Sequence, residues 1–139
     1  VAYYSGRMDD ELDKCVDEMS KKGSSELAVY VETFSNAMKN SFYLFGRHCF
    51  RKVSQNSDDF SERSVLNKLL FTSWSVVLSR YDYDEIKELF SPNCLVSVLG
   101  EELSSDAEYD KYVSVGTNSK KNVIYSFEKA KKIMESLRI

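Results

Sequence analysis

The sequence predicts an all-α fold, a single-domain bundle of about five to seven helices. Three observations predict it. Apolar residues recur every three or four positions along most of the chain, which is the period of a helix, and strand-like alternation is not seen. Five glycines and one proline leave few places where a helix would be interrupted, and Leu, Lys and Glu are good helix formers. At 139 residues the chain fits one domain, long enough to bury about 70% of its extended surface in one core.

The elements follow in order. Met8, Leu12, Cys15, Val16 and Met19 share one face of a helix over 8–22. Asp9, Asp10 and Glu11 suit its start and Lys21 and Lys22 its end, and Gly23 reads as its stop. Ser24 or Ser25 can cap a second helix, which carries Leu27, Tyr30, Val31, Phe34, Ala37, Met38, Phe42 and Phe45 and ends at Gly46. Residues 53–63, VSQNSDDFSER, lack a period and read as a mobile loop. Ser64 can cap a third helix, Val65 to about Arg80, apolar nearly all round and hence central. Asp82 caps a helix to about Phe90. Pro92 suits a first helical position before the face Leu95, Val96, Val98, Leu99 and Leu103. Ser105 starts a short turn through Val113, SVGTNSKKN reads as a loop, and Val123, Phe127, Ala130, Ile133, Met134 and Leu137 face one way along a terminal helix.

Composition excludes several function classes. The net charge of −3 argues against a domain-wide nucleic-acid binder, although residues 39–80 hold seven cations against Asp58, Asp59 and Glu62. Cys15, Cys49 and Cys94 are far apart and have no zinc-ligand spacing. They read as reduced, buried thiols of a cytoplasmic protein. No run approaches the ~18 apolar residues of a membrane span, and no signal peptide is visible. A start at Val1 rather than Met suggests that residues precede it.

The same inspection finds little that would perform chemistry. His48 is the single histidine, so at most one histidine acid–base role is open. No Gly-rich phosphate loop occurs, and no metal or cofactor is expected. Asp9-Asp10 and Asp58-Asp59 read as a helix start and a loop. Trp74 and Asn67, seven residues apart, share a face; Trp74 reads as core and Asn67 as a partly buried amide in need of partners.

The segment FGRHCFRK, 45–52, stands out. Arg47, Arg51 and Lys52 follow the second helix, and Arg63, Asn67 and Lys68 precede or open the third. Three readings are open. The cations cap a helix C-terminus and pack along the surface; they form a phosphate patch with the helix N-terminus at Ser64–Lys68; or they dock another domain. The candidate nucleic-acid-binding residues are therefore Arg47, Arg51, Lys52, Arg63 and Lys68.

Three blocks, NSFYLFGRHCFRKV, RSVLNKLLFTSWSVVLSRY and VSVGTNSKKNVIYSFEKAKKIME, occur in that order. Together they resemble the C-terminal helical region of the DUF262 family. Phe45, Gly46, Phe50, Arg51 and Lys52 match its FG-x-x-x-FRK pattern. Asn67, Lys68, Leu70, Phe71, Trp74, Ser75 and Val76 match INKALFE-x-W-S-V-x-L. Gly116, Thr117, Val123, Tyr125 and Phe127 match S-x-GT and V-x-Y-R-F. Thr72 stands where the family has Glu, and Ser126 where it has Arg; each change removes a charge that would pair across helices. The resemblance implies a bacterial restriction or phage-defence protein with an N-terminal ParB/sulfiredoxin-like nuclease domain marked by a DGQQR-type motif. That motif does not occur in these residues. The expectation is a non-catalytic accessory domain, the C-terminal part of a longer protein, partnered by that nuclease-like domain and by DNA, with no membrane. The alternative is a structural or protein–protein interaction module that touches no nucleic acid, and an independent enzyme is the least favoured.

Overall fold

The computed structural model describes residues 3–138. Among them the chain forms seven α-helices and no strand: α1 Met8–Ser20, α2 Ser24–Phe45, α3 Lys68–Leu78, α4 Tyr83–Leu89, α5 Cys94–Ser105, α6 Ala107–Ser114 and α7 Lys120–Leu137. A single 3₁₀ turn, Gly46–His48, continues from α2. The all-α bundle expected from the apolar period is what forms.

Helix α3 is the hub, packed between α2 and α7. Leu69, Leu70, Ser73, Trp74, Val77 and Leu78 are buried along it, each large apolar side chain contributing about 1.5–3 kcal/mol of transfer free energy. The Trp74 ring meets Phe45 edge-on at 4.9 Å, and Phe71 meets Phe50 in the same way at 4.9 Å. Such offset contacts suit the quadrupoles of the rings. Ser126 of α7 donates to Ser73 Oγ of α3 at 2.8 Å inside the core. The pair lets the two helices approach closely where a longer side chain would hold them apart. Helices α4, α5 and α6 close the remaining sides through Ile86, Leu95, Val96, Leu99, Leu103, Tyr109 and Val113.

Several boundaries differ from the sequence expectation, and at α3 and α6 a capping side chain explains the shift. Gly23 is extended rather than left-handed and precedes α2 directly, with Ser24 already helical. The third helix begins at Lys68, not Val65, because Asn67 caps it: its Oδ1 accepts from Leu69 N and Leu70 N, both at 3.0 Å. Pro92 lies outside α5, which follows Asn93 in a left-handed conformation. Asp106, not Ser105, caps α6 through Tyr109 N. The expected cap Asp82 does hold Asp84 N.

Gly46 ends α2 with a φ of +52°, and a Cβ there would collide with the Asn93 amide. The carbonyl of Ser54 lies against Gly100, leaving no room for a Cβ. This contact brings the segment after Val53 onto α5. That segment, expected to be a mobile loop, is closed at its base by an antiparallel bridge between Arg51 and Leu66 and by Asn67 N donating to Phe50 O at 2.8 Å.

Helix α1 has the apolar stripe expected of it, yet it buries no residue. The thiol of Cys15 is exposed and those of Cys49 and Cys94 are half-buried, so the expectation of three buried thiols does not hold for Cys15.

Candidate functional site

The five cations singled out by the sequence do not converge on one point. Arg47 Nη1 donates to the Asp59 carbonyl at 3.0 Å. The Arg51 guanidinium donates to the carbonyl of Ser64. Lys52 turns the other way, toward α6, where its ammonium lies 2.6 Å from Asp110 Oδ1 and 2.8 Å from Ser114 Oγ. Arg63 and Lys68 are exposed and form no ion pair among the described residues. Three of the five thus hold the 47–66 segment to itself and to α6. The amides at the start of α3 that would have served a phosphate are occupied by Asn67 Oδ1.

The groups able to do chemistry in this segment are similarly engaged. His48 is buried, and its Nε2 lies 2.7 Å from the Asp58 carbonyl. A carbonyl only accepts, so Nε2 carries the proton. Burial pushes the Cys49 thiol up to about 12, against the pull of Arg51 and the nearby Ser41 hydroxyl, which leaves it a poor nucleophile. Asp58 sits below the ordinary carboxylate range because Ser61 and the Phe60 amide donate to it. Phe50 is buried beneath Arg51 with a φ of +58°. This is a costly conformation for a side chain with a Cβ, maintained here by the bridge on one side and Phe71 on the other. Phe42, Tyr43, Arg47, Tyr83 and Pro92 line a shallow cleft of about 410 Å³ beside the turn.

A polar cluster that sequence reading missed joins α5, α6 and α7. Lys129 Nζ lies 2.5 Å from Glu102 Oε2 and 2.9 Å from Asp106 Oδ2, and Tyr125 donates to the same Asp106 oxygen at 2.6 Å. Burial alone would push Asp106 up, but the bonds from Tyr125, Lys129 and Tyr109 N outweigh it and hold the carboxyl at about 2. Burial works against the charge on Lys129 as well, yet its two carboxylates raise it to about 12. Lys129 lies 23 residues beyond Asp106 in sequence, and only the Asp of SSD carried a local signal, that of a cap.

The larger omission is an uncovered surface. The stretch from α1 through the first half of α2 leaves the bundle and returns to it. At one end Tyr4 OH donates to Asn118 O at 2.6 Å; at the other Asn36 Nδ2 donates to Tyr81 O at 2.6 Å. Between them nearly every side chain is exposed. On α2, Ala37, Ser41, Leu44 and Phe45 are buried, whereas toward its start the same side of the helix carries a half-buried Leu27 and exposed Tyr30 and Phe34, with the Lys22 ammonium over the Tyr30 ring. Phe34 is 58% exposed, and Val16 on α1 and Val31 on α2 are each 67% exposed. An open groove of about 930 Å³ runs beside this half of α2, lined by Leu27, Val31, Glu32, Asn36, Ser79 and Asp82. The apolar period of both helices was legible; that little among the described residues covers them was not.

No protein-family model matches the chain, and neither a curated protein nor a solved structure does.

Proposed function

We propose that this chain is a non-catalytic helical accessory domain of a DUF262-like restriction or phage-defence protein, and that it works by packing against protein rather than by holding DNA. The observation that carries the protein-contact part is the exposed Tyr30 and Phe34, which extend toward the start of α2 a stripe that is core further along it. Exposed apolar surface that continues a core stripe marks interaction sites in folded domains. The cations first considered for DNA weigh on the same side: Arg47, Arg51 and Lys52 bond to carbonyls, a carboxylate and a hydroxyl of their own chain. The family part is supported by the residue match of three blocks, the first two of which meet in the core through the matched pairs Phe45–Trp74 and Phe50–Phe71. A DGQQR-type motif in the reading frame preceding Val1 would be the corresponding genomic test.

The DNA alternative retains Arg63 and Lys68, which have no ion-pair partner among the described residues. Fluorescence anisotropy against a short duplex at low and moderate salt separates the readings. A phosphate contact loses affinity with salt, and removing one cation makes the slope shallower by about one. The expected outcome is weak duplex binding that Arg63→Ala, Lys68→Ala leaves unchanged in affinity and slope, while Arg51→Ala, Lys52→Ala lowers the melting temperature. A tenfold loss of affinity with a shallower slope would return the segment to DNA recognition.

A further inference from the structure

We propose that α1 seats a basic amphipathic helix of a partner protein, received along the stripe Leu12, Cys15, Val16 and Met19. This rests on the reading of the chain as a protein-contact module and names the chemistry of what it contacts.

Helix α1 holds six acids and one lysine and buries none of its residues. Leu12 is 52% exposed and Met19 39% exposed, and the Cys15 thiol is exposed as well. The helical period puts Asp9 and Asp13 along one border of the stripe, one turn before Leu12 and Val16, and Glu11 and Glu18 along the other, on either side of Cys15. Lys14, the one lysine of the helix, falls on the side away from the stripe and lies 3.7 Å from Glu11. Asp9, Asp13 and Glu18 form no ion pair among the described residues. The stripe is thus framed by carboxylates on both sides, with no cation of α1 on it or at its borders.

Such a surface selects its occupant twice. The strip takes apolar side chains that repeat at helical spacing, as an amphipathic helix presents them. The borders attract Lys and Arg placed beside those side chains and reject acids in the same places. The carboxylates also repel nucleic-acid phosphates and anionic lipid headgroups, so neither a duplex nor a membrane surface suits this face. A helix with leucine-like residues on one side and cations flanking them meets both requirements. As it seats, water leaves the borders and each opposite-charge pair strengthens.

The probe is a synthetic peptide of about 14 residues with leucines at helical spacing and lysines elsewhere, beside two relatives that carry glutamines or glutamates in place of the lysines. Fluorescence anisotropy of each labelled peptide against the full chain at low salt should rank them lysine over glutamine over glutamate. Asp13→Lys with Glu18→Lys should weaken the lysine peptide at least tenfold and strengthen the glutamate one. Glu101→Lys with Glu128→Lys makes the same change in net charge at exposed positions of α5 and α7, and should cost far less. Leu12→Ala with Val16→Ala should weaken the lysine peptide as well. Trp74 fluorescence establishes that the bundle of each variant is folded. No preference for lysine over glutamine, equal losses from the two pairs of reversals, or indifference to Leu12→Ala, Val16→Ala overturns the proposal. If the glutamine peptide binds as well as the lysine one and is lost with Tyr30→Ala, Phe34→Ala, the basic partner falls and the protein-contact reading stands. Duplex binding that Arg63→Ala, Lys68→Ala abolishes removes that reading itself.

Discussion

Asn67 ties three parts of the molecule together. Its Oδ1 caps α3, its backbone N–H donates to Phe50 O, and its Nδ2 donates to Val113 O of α6 at 2.6 Å. Removing a side-chain cap costs about 1 kcal/mol, and an abandoned carbonyl adds to that. Asn67→Ala should therefore lower the melting temperature by several degrees, roughly 2–4 °C per kcal/mol at this size. Asn67→Asp, which keeps the capping oxygen but loses the donor, should recover part of the loss; equal melting temperatures for the two would show that the cap contributes nothing. The sequence marked Asn67 as an amide in need of partners yet assigned the cap to Ser64. Both residue types cap well. The choice between them was made by the Arg51–Leu66 bridge, which keeps Leu66 out of the helix, and by the Ser64 hydroxyl donating to Lys52 O instead of capping.

At the scale of elements, α5, α6 and α7 are joined through Lys129, Glu102, Asp106 and Tyr125. Asp106 is held at about 2, below the ordinary value of about 3.9. A depressed carboxyl contributes stability that is present above its unfolded value and is lost as pH falls through the folded one. Lys129, raised to about 12 from the ordinary value of about 10.4, contributes stability that is present below the unfolded value and is lost as pH rises through the folded one. Asp106→Asn, which retains a capping oxygen, should be less stable than wild type at neutral pH, and the difference should close between about pH 4 and pH 2. A gap in melting temperature that persists unchanged at pH 2 would mean the effect is not electrostatic. The elements themselves were largely legible, since seven helices lie near the expected periodic segments. Their edges were less so, because Asp, Asn and Ser occur in clusters and local sequence does not rank competing caps. The pairing of Lys129 with Glu102 and Asp106 joins three helices, and no local pattern announces it.

For the molecule as a whole, the bundle and the arm should respond differently to denaturant. Trp74, the single tryptophan, sits in the core against Phe45 and reports on the bundle. Residues 8–35 bury almost nothing, and helices without tertiary packing are marginal in water. In dilute solution, urea should first remove part of the helical circular dichroism while Trp74 emission stays constant, and then unfold both together. Transitions that coincide throughout would show that the arm is packed in solution, by a partner copy or by the bundle.

The sequence by itself determined the class of fold, its confinement to one domain, and which side chains share a helix face. Each follows from the chain's own composition and from a period of 3.6 residues. Only the tertiary structure decided which apolar faces are covered and where the cations end. Arg51, Lys52 and Arg63 look alike in sequence, yet one closes a loop, one binds α6 and one stands free. Likewise α1 and α7 share the same amphipathic pattern, yet among the described residues only α7 has a neighbour that buries it. Periodicity is a property of a single helix, whereas burial and pairing depend on what lies opposite.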